Sequence, residues 1–234
     1  MLKFVTLNMI KTRLFFCLAI ILTVYSCRTS TEETVSKGTE YFPTKIGTVH
    51  YYQVDTVVYD LFKKEIDTFS SVVREEVVEK FQDATNDTVY RVELSKFSDI
   101  SSEWEVFRSF ERKIIDNYAI EKLDNNTELK MIFPIASYKT KGSSYTWNIN
   151  MFNRYDPLAV KFTSIFTSFH NGINPYNNCV SVKINKPIIG RVNLTRTEVY
   201  AKDIGLVYRF IENTNSLDDS SFLSGSVTTV RLKN

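Results

Sequence analysis

Alternation with a period of two constrains this chain more than any other feature. In GTVHYYQVDTVVYD, Tyr52, Val54, Thr56 and Val58 fall on one face. Tyr90, Val92 and Leu94 do so in TVYRVEL, and Leu129, Met131 and Phe133 in LKMIF. Val180, Val182 and Ile184 share a face in CVSVKI, as do Leu206, Tyr208 and Phe210 in LVYRF, and VTTVRL repeats the pattern near the carboxyl end. A pattern repeated this often is the signature of strands with one face against a core. Seven glycines and five prolines among 234 residues, against many Tyr, Phe, Val, Ile and Thr, favour the same state.

Turn chemistry separates the runs. DATND (83–87) and DNN (124–126) read as hairpin connections. Two segments fit either period: SVVREEVVEKF (71–81), which has helical composition but also reads as a charged strand, and EWEVFRSFERKII (103–115). Pro157 after Asp156 marks a turn, with a short helix expected near 153–170. The expected fold is mainly β, a large antiparallel curved sheet of roughly eight to ten strands with at most one or two short helices. Such a sheet either curls into a half-barrel or barrel, or splits into a sandwich. No Pro- or Gly-rich break or internal repeat divides residues 41–234, which read as a single domain.

The first residues carry a different signal. Lys3, Lys11 and Arg13, without an acid, precede an apolar run from Leu14 to Val24. That is the layout of a secretory signal, and the run is shorter than the roughly 20 residues a spanning helix needs. Met9 is an alternative start. The run ends in LTVYSC, with Val24 three residues before Cys27 and Ser26 just before it. This resembles the lipobox of bacterial lipoproteins. The resemblance implies cleavage before Cys27, a diacylglycerol on its thiol and an acyl chain such as palmitate on the new amino terminus. Two or more chains hold a protein stably on a membrane where one does not. The alternative is an ordinary secretory signal cut elsewhere. The division is then residues 1–26 as signal peptide, 27–40 as lipidated cysteine and polar tether, and 41–234 as the domain. The tether, RTSTEETVSKGTE, reads as a solvated linker; its TEE loosely resembles acidic surface-export signals of lipoproteins in Bacteroidota. The implied location is the cell envelope, at the outer membrane, periplasmic or surface-exposed. Cys17 leaves with the signal, so Cys179 becomes the one thiol besides Cys27 and no intramolecular disulfide forms.

Composition excludes little except nucleic acid. From Cys27 onward 26 basic residues face 27 acidic ones, a net charge of −1, with the signs interspersed. That leaves no electrostatic footprint for DNA or RNA. The two histidines, His50 and His170, stand far apart, and no HExxH, CxxC, Gly-rich phosphate loop or Gly-x-Ser-x-Gly elbow occurs. Glu75 and Glu76 read as part of a solvated strand, and Cys179 as an inert thiol. The expectation is no catalytic residue, no metal site and no cofactor. SSYTWNINMFNRY gathers Tyr145, Trp147, Phe152 and Tyr155 with Asn148, Asn150 and Asn153. Rings that stack beside amides that hydrogen-bond suit a sugar- or peptide-binding surface, and this is the candidate binding surface; the same density also fits core packing. Trp104, between Glu103 and Glu105, reads as a buried strand residue.

Four stretches carry a further resemblance: YFPTKIGTVHYYQVDTVVYD (41–60), MIFPI (131–135), YTWNINMFN (145–153) and EVYAKDIGLVYRF (198–210). Together they resemble a group of lipoproteins from Bacteroidota, with Trp147 as the group's tryptophan and Gly47 and Gly205 as turn or bulge positions before strands. The group brings no reaction; the resemblance implies location and a β fold. The leading expectation is a non-enzymatic envelope lipoprotein held to the membrane through lipid on Cys27, with a small apolar molecule, a glycan or a protein as partner. A structural or assembly accessory of an outer-membrane complex is the alternative, and an envelope hydrolase the second.

Overall fold

The alternating segments have one way to bury their apolar faces together: hairpin by hairpin into a single sheet that curls on itself. A computed structural model describes residues 36–60, 62–141, 146–150, 158–186, 192–216 and 223–233, and Ser36–Asn234 form one compact unit. Among the described residues twelve strands follow in chain order: β1 (Val49–Asp60), β2 (Glu65–Gln82), β3 (Thr88–Ser98), β4 (Glu103–Ile115), β5 (Tyr118–Leu123), β6 (Asn126–Ile132), β7 (Trp147–Asn148), β8 (Ala159–His170), β9 (Pro175–Lys186), β10 (Val192–Ala201), β11 (Gly205–Ser216) and β12 (Leu223–Leu232). A 3-10 turn, Thr39–Tyr41, precedes β1, and one six-residue helix, α1 (Ala136–Lys141), follows β6. Twelve strands exceed the eight to ten expected, because both ambiguous segments are strands (β2 and β4) and because β5, β6 and β7 are short. The described part of 153–170 is strand β8, and the helix lies earlier, at 136–141.

The strand order is β6-β5-β4-β3-β2-β1-β12-β11-β10-β9-β8-β7, antiparallel throughout. The first and last strands pair in the middle of the sheet, Tyr52 opposite Leu232 and Tyr59 opposite Gly225. The two outer strands then meet, making the sheet a nearly closed barrel. At this seam the Leu129 amide donates to the Ile149 carbonyl at 2.8 Å, Glu128 bridges Asn150, and the Trp147 indole donates to the Leu129 carbonyl at 2.9 Å. Register shifts in β2–β3, β3–β4, β8–β9 and β10–β11 supply the local bends that curling needs.

Because neighbours alternate in direction, the β1–β2, β3–β4 and β5–β6 turns share one end, and the β2–β3, β4–β5, β8–β9 and β10–β11 turns share the other. The second end is plugged. Residues 36–48 cross it, with Ile135 donating to Lys37 O at 3.1 Å and Asp203 to Glu40 O at 2.9 Å, and Tyr41 and Phe42 are buried there. Gly205 has φ +96°, and a Cβ on it would come 2.8 Å from Pro43 Cδ, so the plug sits on a glycine. Asn171, also buried, ties the β8–β9 turn to this end. Its amide donates to Val207 O and Leu232 O at 3.0 and 2.9 Å, and its oxygen accepts from Ile173 and Asn174 at 2.8 Å each.

Candidate functional site

Above the plug, the inward faces of the strands turn from apolar to ionic. Register fixes which residues point in: Tyr52 faces Val73, Glu75 faces Leu94, Arg112 faces Glu121, and Glu198 faces Arg209. A belt of four carboxylates (Glu75, Glu121, Glu128, Glu198) and four cations (Arg112, Lys130, Arg196, Arg209) crosses the lumen. Glu198 is its hub. One oxygen accepts from Lys130 Nζ at 2.8 Å, Arg196 Nη2 at 2.6 Å and Arg209 Nε at 2.7 Å, and the other from the Tyr200 hydroxyl at 2.7 Å. Arg196 also grips Glu128 with two bonds of 2.9 Å, the bidentate geometry that suits guanidinium to carboxylate. Arg112 reaches Glu121 at 2.9 Å and Glu75 at 3.5 Å, with its guanidinium 5.0 Å from the centre of the Phe42 ring.

Burial on its own would push the carboxyls of Glu121, Glu128 and Glu198 up. It is outweighed: Lys130 and Arg196 hold Glu128 down at about 2, and Arg196, Lys130 and Arg209 hold Glu198 well below its ordinary value. Lys130 and Arg112 likewise lower Glu121. The belt is charged and self-neutralised.

Between the belt and the open end lies a cavity of about 420 Å³. Val54, Val73, Leu94, Phe110, Leu123 and Ile211 form its apolar wall. Its volume lies in the range of about 300–1,000 Å³ usual for small-molecule sites. Two further cations, Lys96 from β3 and Arg108 from β4, line it above the belt.

The described residues of the sequence-predicted binding surface, Trp147, Asn148 and Asn150, do not line this cavity. Trp147 is buried, its ring 5.0 Å from Phe162 and its N–H on Leu129. Asn148 organises its own turn, its oxygen accepting from Asn150 and Leu158 at 3.1 and 3.0 Å and its amide donating to Asn150 O at 2.9 Å. Asn150 stands at the bridge to Glu128. Tyr145, Phe152, Asn153, Tyr155 and Cys27 lie outside the described residues. Glu76 is half-buried against Arg74, but Glu75 is buried in the belt, so the two neighbours part to opposite faces of β2. Trp104 is half-buried between the exposed rings of Tyr51 and Phe97, 5.5 and 5.8 Å away. Cys179 is buried, and burial raises its thiol.

His50 lies opposite Glu75, where burial lowers its imidazole, Glu75 opposes that and Arg112 adds to it. The crevice it shares with Glu75, Arg112 and Tyr200 holds about 10 Å³, and no serine, threonine or cysteine lines it. His170 is exposed, its Nδ1 accepting from the Gly172 amide at 3.0 Å.

The fold and site together define a class, an antiparallel barrel plugged at one end with a cavity at the other. No protein-family model matches the chain, and no curated protein matches it either. Two solved structures are similar. One is described as a "putative lipoprotein" from Parabacteroides distasonis, 13% identical over 83% of this chain and 97% of that one, with a TM-score of 0.40. The other is an exported protein with a YmcC-like fold from Bacteroides fragilis, 11% identical over 82% of this chain and 97% of that one, with a TM-score of 0.34.

Proposed function

We propose that this chain is a non-enzymatic lipoprotein of the cell envelope, lipid-anchored through Cys27 at the outer membrane, whose barrel receives a small ligand. The observation that carries the ligand is the cavity of about 420 Å³ over a floor whose charges already satisfy one another. A void with an apolar wall over that ionic floor, open at one end, is a receptacle. The absence of enzymatic activity draws support from the same groups. The belt carboxylates are engaged by cations, the Cys179 thiol is buried, and the crevice at His50 is too small for a substrate. The anchor rests on LTVYSC, and the outer-membrane location is part of the same reading.

Native mass spectrometry of the protein extracted gently from its own membranes tests both halves. The expected mass is that of residues 27–234 plus acyl chains, with an adduct that Leu94→Trp, filling the cavity, removes. A chain without lipid overturns the anchor, and an adduct indifferent to Leu94→Trp overturns the cavity.

A second reading is favoured by one observation. Phe62 is 97% exposed and Ile100 fully so, both on turns at the open end. Apolar tips of this kind suit an assembly accessory of an outer-membrane complex. It predicts co-purification with a defined membrane protein, weakened by Phe62→Ser with Ile100→Ser.

A further inference from the structure

We infer that the cavity takes a single-chain amphiphile with an anionic head, the head held at the mouth by Lys96 and Arg108 and the apolar body lying against the wall below. This rests on the reading of the cavity as a ligand site and names the ligand's chemistry.

The charges decide it. Four carboxylates and four cations cancel in the belt, so the floor offers an incoming ion nothing: an anion there would have to displace Glu198 or Glu128 from donors at 2.6–2.9 Å. Above the belt the cavity's charged residues are Lys96 and Arg108, both positive. Among the described residues neither makes an ion pair within 4 Å. Lys96 lies 5.2 Å from the centre of the Phe107 ring, which holds its ammonium at the rim. Glu105, opposite Lys96 in the ladder, accepts from Ser101 at 2.6 Å and does not line the cavity. The mouth therefore carries two uncancelled positive charges beside low-dielectric walls, which concentrate the field on an approaching anion.

The wall supplies the second half of the recognition. Val73 stands opposite Lys96 and Leu94 opposite Arg108 in the ladders, Phe110 lies between Arg108 and Arg112 along β4, and Val54, Leu123 and Ile211 line the same cavity. These six side chains offer no hydrogen-bond partner, and outside the belt and the two cations the polar lining is Ser71, Asn126 and Tyr52, whose hydroxyl donates to Leu206 O, so a polar body lying against the wall would lose most of its hydration without compensation. An alkyl or aromatic body gains about 25 cal/mol for each Å² removed from water. A neutral lipid leaves the cations unanswered, a cationic one is repelled, and a small inorganic anion leaves the wall wet.

Isothermal titration with octanoate, octanol and octyltrimethylammonium, each below its micelle concentration, tests this on the folded domain. Octanoate is expected to bind most tightly. Replacing both cations (Lys96→Gln with Arg108→Gln) is expected to weaken octanoate roughly tenfold or more while leaving octanol unchanged. Both side chains are exposed, so the variant is expected to fold, which circular dichroism checks. Octanol binding as tightly as octanoate, or octanoate indifferent to the double substitution, overturns the anionic head and leaves the ligand cavity standing. If none of the three probes binds and Leu94→Trp alters nothing, the cavity reading falls and takes this inference with it.

Discussion

At Glu198 three cations and one hydroxyl converge on two oxygens inside the barrel. Removing that charge strands Arg209 and takes from Lys130, which is 1% exposed, and from Arg196 one of their carboxylates, leaving both to Glu128. Breaking a buried pair from one side costs about 3–5 kcal/mol. Glu198→Gln is expected to lose about that much in urea unfolding, and Lys130→Met less, because Arg196 and Arg209 still answer the carboxylate. The belt also sets the acid limb of stability. Glu128 sits at about 2 in the folded protein against 4.5 when free, and Glu198 and Glu121 are lowered as well. A depressed folded value means the stabilisation is complete above pH 4.5 and drains as pH falls towards about 2. His50, lowered by burial, adds in the same direction from its ordinary 6.5 downward. The urea midpoint should therefore decline slightly below pH 6.5 and steeply below 4.5. His50→Gln should remove the first decline and keep the second.

Among the elements, the seam is the thinnest part of the barrel, since β7 has two residues. Trp147→Phe deletes the indole bond to Leu129 and is expected to cost about 1 kcal/mol there. Amide exchange at Leu129, whose N–H is bonded to Ile149, should quicken about fivefold while Val92 in β3 is unmoved. At β12, Gly225 has φ +121°, and a Cβ there would lie 2.1 Å from Asn213 O on β11. Gly225→Ala should lower the melting temperature by several degrees without touching the lumen. The elements also divide what was legible from what was not. Strands such as CVSVKI were readable because one face is apolar throughout. β2 and β4 were not, since their inward faces mix Val73 with Glu75, and Phe110 with Arg112, and ionic residues in a lumen look like solvated ones. In the cluster around Trp147 the sequence fits both a binding surface and core packing; of its described members, the Trp147 ring packs at the seam and Asn148 shapes a turn with Asn150. The cavity's residues come from β1–β6 and β10–β12, and only register and closure bring them together.

For the molecule as a whole, the ladder that matters most is the one joining β1 to β12, residues as far apart as Tyr52 and Leu232. β1–β6 and β7–β12 are each a run of neighbours in sequence; in backbone pairing that ladder and the seam unite them, while the belt ties them through side chains. A chain ending after Ser216 loses both ladders of β12, and its melting should become broad and uncooperative where the full domain melts in one step. The order of synthesis gives the same ladder another meaning. A chain made amino end first presents two curved sheets joined at the seam alone until β12, ten residues long, arrives. Any factor that must keep it open need only withhold that strand, and its pairing with β1 is the moment the sheet closes into a barrel.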